Sequence, residues 1–154
     1  MIKIIRGSAV VIITFLFLCG TAMAQEQFGL GVTLGVPTGV NGKYFLDKYN
    51  ALDGGFGWTL DSDHDFHLYA DYLYHIYSLI EPGSGETPVY FGVGARVVFR
   101  DHKDNKAGFR FPLGLEHLFE SVSLSVFGEI VPIFNVSPNA RFNLEGVIGA
   151  RFYF

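Results

Sequence analysis

His67, Asp71 and His75 recur at four-residue steps and carry the donor atoms needed for a divalent metal or for acid-base work. On an extended strand all three share a face, yet steps of four residues separate neighbours by about 13 Å. A zinc ion needs each donor within about 2.0 to 2.2 Å, so these three cannot share one ion by themselves, and hydrogen bonding or ion pairing is their expected role. Ser123, Ser125 and Glu129 form a second set on one strand face, with His117 one short turn earlier. A nucleophile, a base and an orienting acid in hydrogen-bond reach are what acyl transfer requires. Serines packed against a polar interior are the plainer reading of the same residues. Asp61, Ser62, Asp63, His64 and Asp65 offer oxygen ligands for a surface cation, although such a run is more often a solvated turn. The glycine pairs Gly29/Gly31 and Gly92/Gly94 are not nucleotide fingerprints, because no helical pattern follows either. Neither a cofactor nor a metal site is expected.

A larger constellation involves charge. Lys43, Arg96, Arg110 and Arg151 are interleaved with Asp53, Asp71, Glu116, Glu129 and Glu145 across most of the chain. To see what positions them, the hydrophobic period is decisive: from Phe28 onward it is two, the signature of strands. Alternation predicts eight strands, over 28–35, 39–46, 51–60, 66–77, 89–100, 108–117, 121–134 and 141–154. Gly, Pro, Asn and Asp dominate the stretches between them for their backbone tolerance. The spacing leaves no room for a second domain and reads as an all-β, eight-stranded antiparallel up-and-down barrel.

Every one of the nine charges falls on the less apolar face of its strand. That face also carries Tyr69, Tyr90 and a series of glycines, among them Gly29, Gly55, Gly94, Gly114 and Gly149. A water-exposed strand face is normally rich in Lys, Glu and Thr, as it would be in a soluble lipocalin-like barrel. Glycine is tolerated where other groups crowd closely, and the lumen of an eight-stranded barrel is just wide enough for side chains to fill. The charges are therefore expected to pair across a plugged lumen, and the apolar face to meet lipid. Phe66, Tyr72, Phe99, Phe109, Phe152 and Phe154 fall near segment ends, as interfacial aromatic girdles require. An even strand number puts both termini on one side, taken as periplasmic, which leaves short outer loops and the longest connection, 78–88, on the periplasmic side.

The N-terminus agrees with export. Lys3 and Arg6 precede an apolar run from Ala9 to Leu18, and Ala22-Met23-Ala24 supplies a small-x-small cleavage site. Residues 1–24 are read as a signal peptide and 25–154 as the barrel domain. Cleavage removes two basic residues and no acidic one, making the formal net charge more negative than −4. Clustered Lys and Arg of the kind that bind phosphate backbones are missing, so nucleic acid is not an expected partner. The single cysteine, Cys19, leaves with the leader, so no disulfide stabilises the mature chain.

The last strand, RFNLEGVIGARFYF, has large apolar groups on one face and a terminal Phe154. It resembles the C-terminal insertion signal of bacterial outer-membrane barrels, carried by Phe152 and Phe154, and that resemblance implies the barrel-assembly machinery and outer-membrane lipid as partners. Further stretches are GVPTGVNGKY from Gly35, NALD from Asn50, HLYADY from His67, GVGAR from Arg96's strand, PLGL from Pro112, EIVP from Glu129 and the closing GARFYF. Together they resemble a family of small uncharacterised outer-membrane barrels in the OmpA-like eight-strand group. The resemblance implies a location in the outer membrane of a Gram-negative-type bacterium and no substrate. A non-enzymatic barrel with a structural or interaction role is the leading expectation. A narrow gated solute or ion pore and an outer-leaflet lipid-modifying enzyme using His117 are the alternatives. The His-x-Ser pattern of lipid A deacylase barrels is not present.

Overall fold

The computed structural model describes residues 27–60, 65–81 and 83–154. The expected signal peptide, and the Asp61 to His64 part of the candidate cation cluster, lie outside the described residues. The rest forms strands β1 (Phe28–Gly35), β2 (Thr38–Phe45), β3 (Asn50–Trp58), β4 (Phe66–Ile76), β5 (Val89–Phe99), β6 (Lys106–Arg110), β7 (Leu113–Leu118), β8 (Leu124–Ser137) and β9 (Arg141–Tyr153). All pairings are antiparallel and, apart from β6 and β7, join sequence neighbours; β1 pairs with β9 from Gly29↔Tyr153 to Gly35↔Val147, which closes the sheet on itself.

Nine strands nevertheless make an eight-position ring. The expected sixth strand is divided into β6 and β7, both of which pair with β5 on one side and β8 on the other. Pro112 causes the division because it has no N–H to give the ladder. Its carbonyl still accepts from Gly92 N at 2.9 Å, and Phe111 N still donates to the Pro132 carbonyl at 2.9 Å, so the wall is not opened. The in-out phase also survives, with Arg110, Pro112 and Glu116 buried and Phe109, Phe111, Leu113 and Leu115 exposed. A bulge in β8 leaves Val136 unpaired opposite Ala107 and Gly108. Other differences are confined to ends: β8 starts at Leu124 rather than Ser121 and extends to Ser137, leaving a three-residue turn before β9.

Burial is inverted relative to a water-soluble barrel. Every strand carries large apolar side chains on its outward face, including Leu30, Tyr44, Phe56, Tyr72, Phe91, Phe109, Leu115, Ile130 and Leu144, all exposed. Lys43, Asp53, Asp71, Arg96, Arg110, Glu116 and Arg151 are buried. Only small apolar layers cap this polar interior. Ala51, Leu73 and Tyr90 pack with Phe45 near the end that carries both termini, and Val98, Val131 and Ile133 are buried toward the other.

The turns are tight where the sequence allows it. In the β2–β3 turn the Asp47 carboxylate accepts from Tyr49 N at 2.7 Å, Asn50 N at 2.9 Å and the Asn50 side-chain amide at 2.8 Å. The Asn50 amide, then the backbone donors, hold its carboxyl below the usual range, so the turn keeps these bonds until the pH falls through that lowered value. Gly35 ends β1 at φ 133°, a conformation open to glycine. The longest connection, from Tyr77 to Pro88, is tied down by reciprocal bonds between Glu86 and Leu118, N to O 3.1 and 2.8 Å.

Inward glycines make room for rings. A Cβ on Gly114 would lie 2.6 Å from both the Tyr90 ring and the Gly128 carbonyl, and one on Gly55 would lie 2.8 Å from the Tyr69 hydroxyl. Gly29 and Gly149 stand in the same relation to Tyr153 and Phe127. Outward Gly42 is different, for a Cβ there would meet nothing nearer than 3.7 Å. Gly114→Val is expected to lower the unfolding free energy by about 1–3 kcal/mol through overpacking, whereas Gly42→Val should be neutral or stabilising. Urea titration of the folded chain in detergent, followed by Trp58 fluorescence, measures both; equal losses would show that the rings do not depend on the missing side chains.

Candidate functional site: the charged interior

Arg151, near the end of β9, is the hub of the lower interior. Its Nη2 donates to Asp53 Oδ2 of β3 at 2.6 Å, its Nη1 to Glu116 Oε1 of β7 at 3.1 Å, and its Nε to Asn41 Oδ1 of β2. Glu116 is in turn saturated. It accepts from Lys43 Nζ at 2.5 Å, Ser125 Oγ at 2.5 Å and Tyr153 Oη at 2.8 Å. Asn41 Nδ2 completes the loop by donating to Asp53 at 2.5 Å. Lys43, Glu116, Asn41 and Arg151 are each at most 1% exposed.

A second cluster lies alongside. Arg110 Nε donates to both Asp71 oxygens at 3.0 Å, and Nη2 reaches Glu129 at 3.5 Å, while Tyr90 Oη donates to Glu129 at 2.9 Å. The third is toward the end away from the termini. There Arg96 Nη1 pairs with Glu145 at 2.5 Å and Nη2 donates to Asn135 Oδ1 at 3.1 Å, and Asn135 Nδ2 donates to Asn143 at 2.9 Å. Each of the nine charges expected on the polar faces thus stands within ion-pair distance of an opposite charge.

Aromatic rings fill the space beside the cations. The Arg151 guanidinium carbon is 3.6 Å from the Phe127 ring centroid and that of Arg110 is 3.9 Å from Tyr69, while Lys43 Nζ lies 4.7 Å from Tyr90 and 5.0 Å from Phe45. Such contacts add attraction that grows as water is excluded. Asn41, Asn135, Asn143 and Tyr153 complete the network although charge alone did not single them out. For Asn41, Asn143 and Tyr153 the signal was the same inward alternation as that of their charged neighbours, whereas Asn135 lies one residue beyond the expected strand 121–134 and joins β8 only because that strand runs on to Ser137.

Members of the candidate catalytic set, Ser125, Glu129 and His117, and of the set His67, Asp71 and His75 each have other partners. Ser125 Oγ, fully buried, is spent on Glu116, and Glu129 is engaged by Tyr90 and Arg110. His117 instead has its Nδ1 2.8 Å from Thr87 Oγ1 and its ring edge-on to Phe119. His67 meets Thr59 Oγ1 at 2.7 Å and His75 meets the Tyr49 carbonyl at 3.1 Å, while Asp71 belongs to Arg110. Among the described residues no three His, Cys, Asp or Glu side chains are grouped to hold a metal ion.

A solved structure shares this barrel fold. The crystal structure of the N-terminal β-barrel domain of Pseudomonas aeruginosa OprF superposes with a TM-score of 0.61, covering 84% of this chain and 98% of that one at 16% identity. The likeness is one of fold. No protein-family model and no curated protein matches the chain.

Arg151→Met would strand Asp53 and deprive Glu116 and Asn41 of a partner inside the barrel. Removing one member of a buried ion network costs about 3–5 kcal/mol, and adding Asp53→Asn should recover part of it. The urea midpoint of both variants in micelles tests this; a loss near that of an exposed pair, below about 1 kcal/mol, would mean the hub is dispensable.

Proposed function

We propose that the chain is an integral outer-membrane β-barrel with a closed, ion-paired lumen, serving a structural or interaction role through its exposed ends and carrying no catalytic centre. The observation that carries this reading is the inversion of burial, with charge inside and large apolar groups on all sides outside. Soluble monomers rarely expose a contiguous apolar patch beyond a few hundred Å², whereas a lipid environment requires such a belt and a closed ladder of backbone bonds behind it. The fold likeness to the OprF barrel domain supports the same placement. Phe152 and Phe154 lie exposed at the foot of β9, where an assembly factor can read them, and Phe154 N donates to the Phe28 carbonyl at 2.8 Å to complete the seam.

Near-zero exposure of Lys43, His75, Tyr90, Glu116 and Arg151 across the lumen supports a plug in preference to a gated pore. An ion crossing here would have to separate Arg151 from Asp53 and Lys43 from Glu116 at once. Planar bilayers with the refolded mature chain should stay silent, and stable single-channel steps would sink the closed-lumen reading. Membrane placement has its own test at Ile148, which is 63% exposed near the middle of β9. In lipid, Ile148→Arg is expected to cost about 2–4 kcal/mol, read from urea unfolding in vesicles. In a soluble barrel an outward Arg would be close to neutral, and recovery of the mature chain in the soluble periplasmic fraction would refute the placement directly.

A further inference from the structure

Three cations line one cavity at the end of the barrel away from the termini, with Asp65 and Glu145 near enough to act on Lys106. A cavity of about 240 Å³ opens there, walled by Arg100, Lys106, Arg141, Asn135, Asn139 and Asn143. Three cations and three amides converge, and no carboxylate is among its described lining residues. Deeper in the lumen each cation has a carboxylate against it; here Asn135, part of the cavity wall, accepts from Arg96, the partner of Glu145, and donates to Asn143. Arg100 is held in place by a neutral group, its Nε donating to the Asp104 carbonyl at 2.7 Å, with Nη2 on the same oxygen. The cavity is below the roughly 300–1,000 Å³ usual for larger organic ligands, and suits a compact group.

We infer that this mouth is an anion-binding site for a phosphate group, gripped by Arg100, Lys106 and Arg141 with amide donors from Asn139 and Asn143. Guanidinium forks match phosphate oxygens in pairs, and charge-assisted bonds are roughly twice as strong as neutral ones. The inference rests on the membrane placement proposed above, which sets this mouth at the headgroup level of the outer leaflet. Two sources share the chemistry, a free phosphate ion and a phosphorylated glycolipid headgroup.

The mature chain, refolded in an uncharged glycoside detergent, is titrated by calorimetry with inorganic phosphate, with a phosphorylated glycolipid in mixed micelles, and with the same glycolipid after phosphate removal. Saturable binding of either phosphate-bearing probe, absent for the dephosphorylated one, supports the site. Binding of inorganic phosphate assigns it to the free anion, and binding of the phosphorylated glycolipid alone assigns it to a headgroup. The R100Q/K106Q/R141Q variant should bind about tenfold or more weakly. K48Q, at the opposite end and beyond the range of screened charge, should stay within about twofold of the parent. Binding by the dephosphorylated lipid, an unaffected triple variant, or an equal loss in K48Q would overturn the site. Far-UV circular dichroism separates the two readings: a refolded barrel that binds no probe overturns the site alone, and a chain that folds without detergent overturns the membrane placement.

Discussion

The ion pairs made by Arg151 are the constraint on which the rest of the interior depends. One side chain on β9 reaches β2, β3 and β7 through Asn41, Asp53 and Glu116, so the strand that closes the ring also ties together strands across it. Taking these charges out of water costs several kcal/mol per ion, and only dense pairing and hydrogen bonding offsets it. That explains why Glu116 accepts from four separate donors. A network of this kind specifies one arrangement of strands, since a register slip of one residue would turn every charge to the apolar face.

Glycine supplies the geometric complement. An eight-position ring encloses little volume, and the interior holds Tyr69, Tyr90, Phe127 and Tyr153 besides the charges. Gly55, Gly114, Gly149 and Gly29 sit where these rings meet the wall. Packing and electrostatics are coupled here: Phe127 and Tyr69 cover the guanidinium faces of Arg151 and Arg110, so a side chain added at the wall would displace a ring and uncover a charge.

Much of the fold was legible from alternation because a sheet with one apolar face has a period of two that register cannot hide. Strand limits were harder. Pro112 stood inside an alternating run, and proline in a central strand is itself a sign of interruption, but the phase of the flanking residues concealed it. Partner choice in the interior was not legible at all. Lys43 and Glu116 lie 73 residues apart in sequence, and whether they meet depends on stagger and barrel curvature, which no local pattern encodes. The basic mouth was invisible for a related reason: Arg100, Lys106 and Arg141 come from three strand ends and form a group only once the ring is closed.

The seam between β1 and β9 joins the two strands most distant in sequence, with Gly29 opposite Tyr153 and the Phe28 ring stacked on Phe154. Contacts of such long sequence separation are the slowest to form. Closure and burial of the Arg151 hub are consequently the same late event: until β9 docks, Asp53 and Asn41 lack their partner and the polar interior stays open along one side. The final strand works as a latch whose engagement neutralises the interior at the moment the wall is sealed.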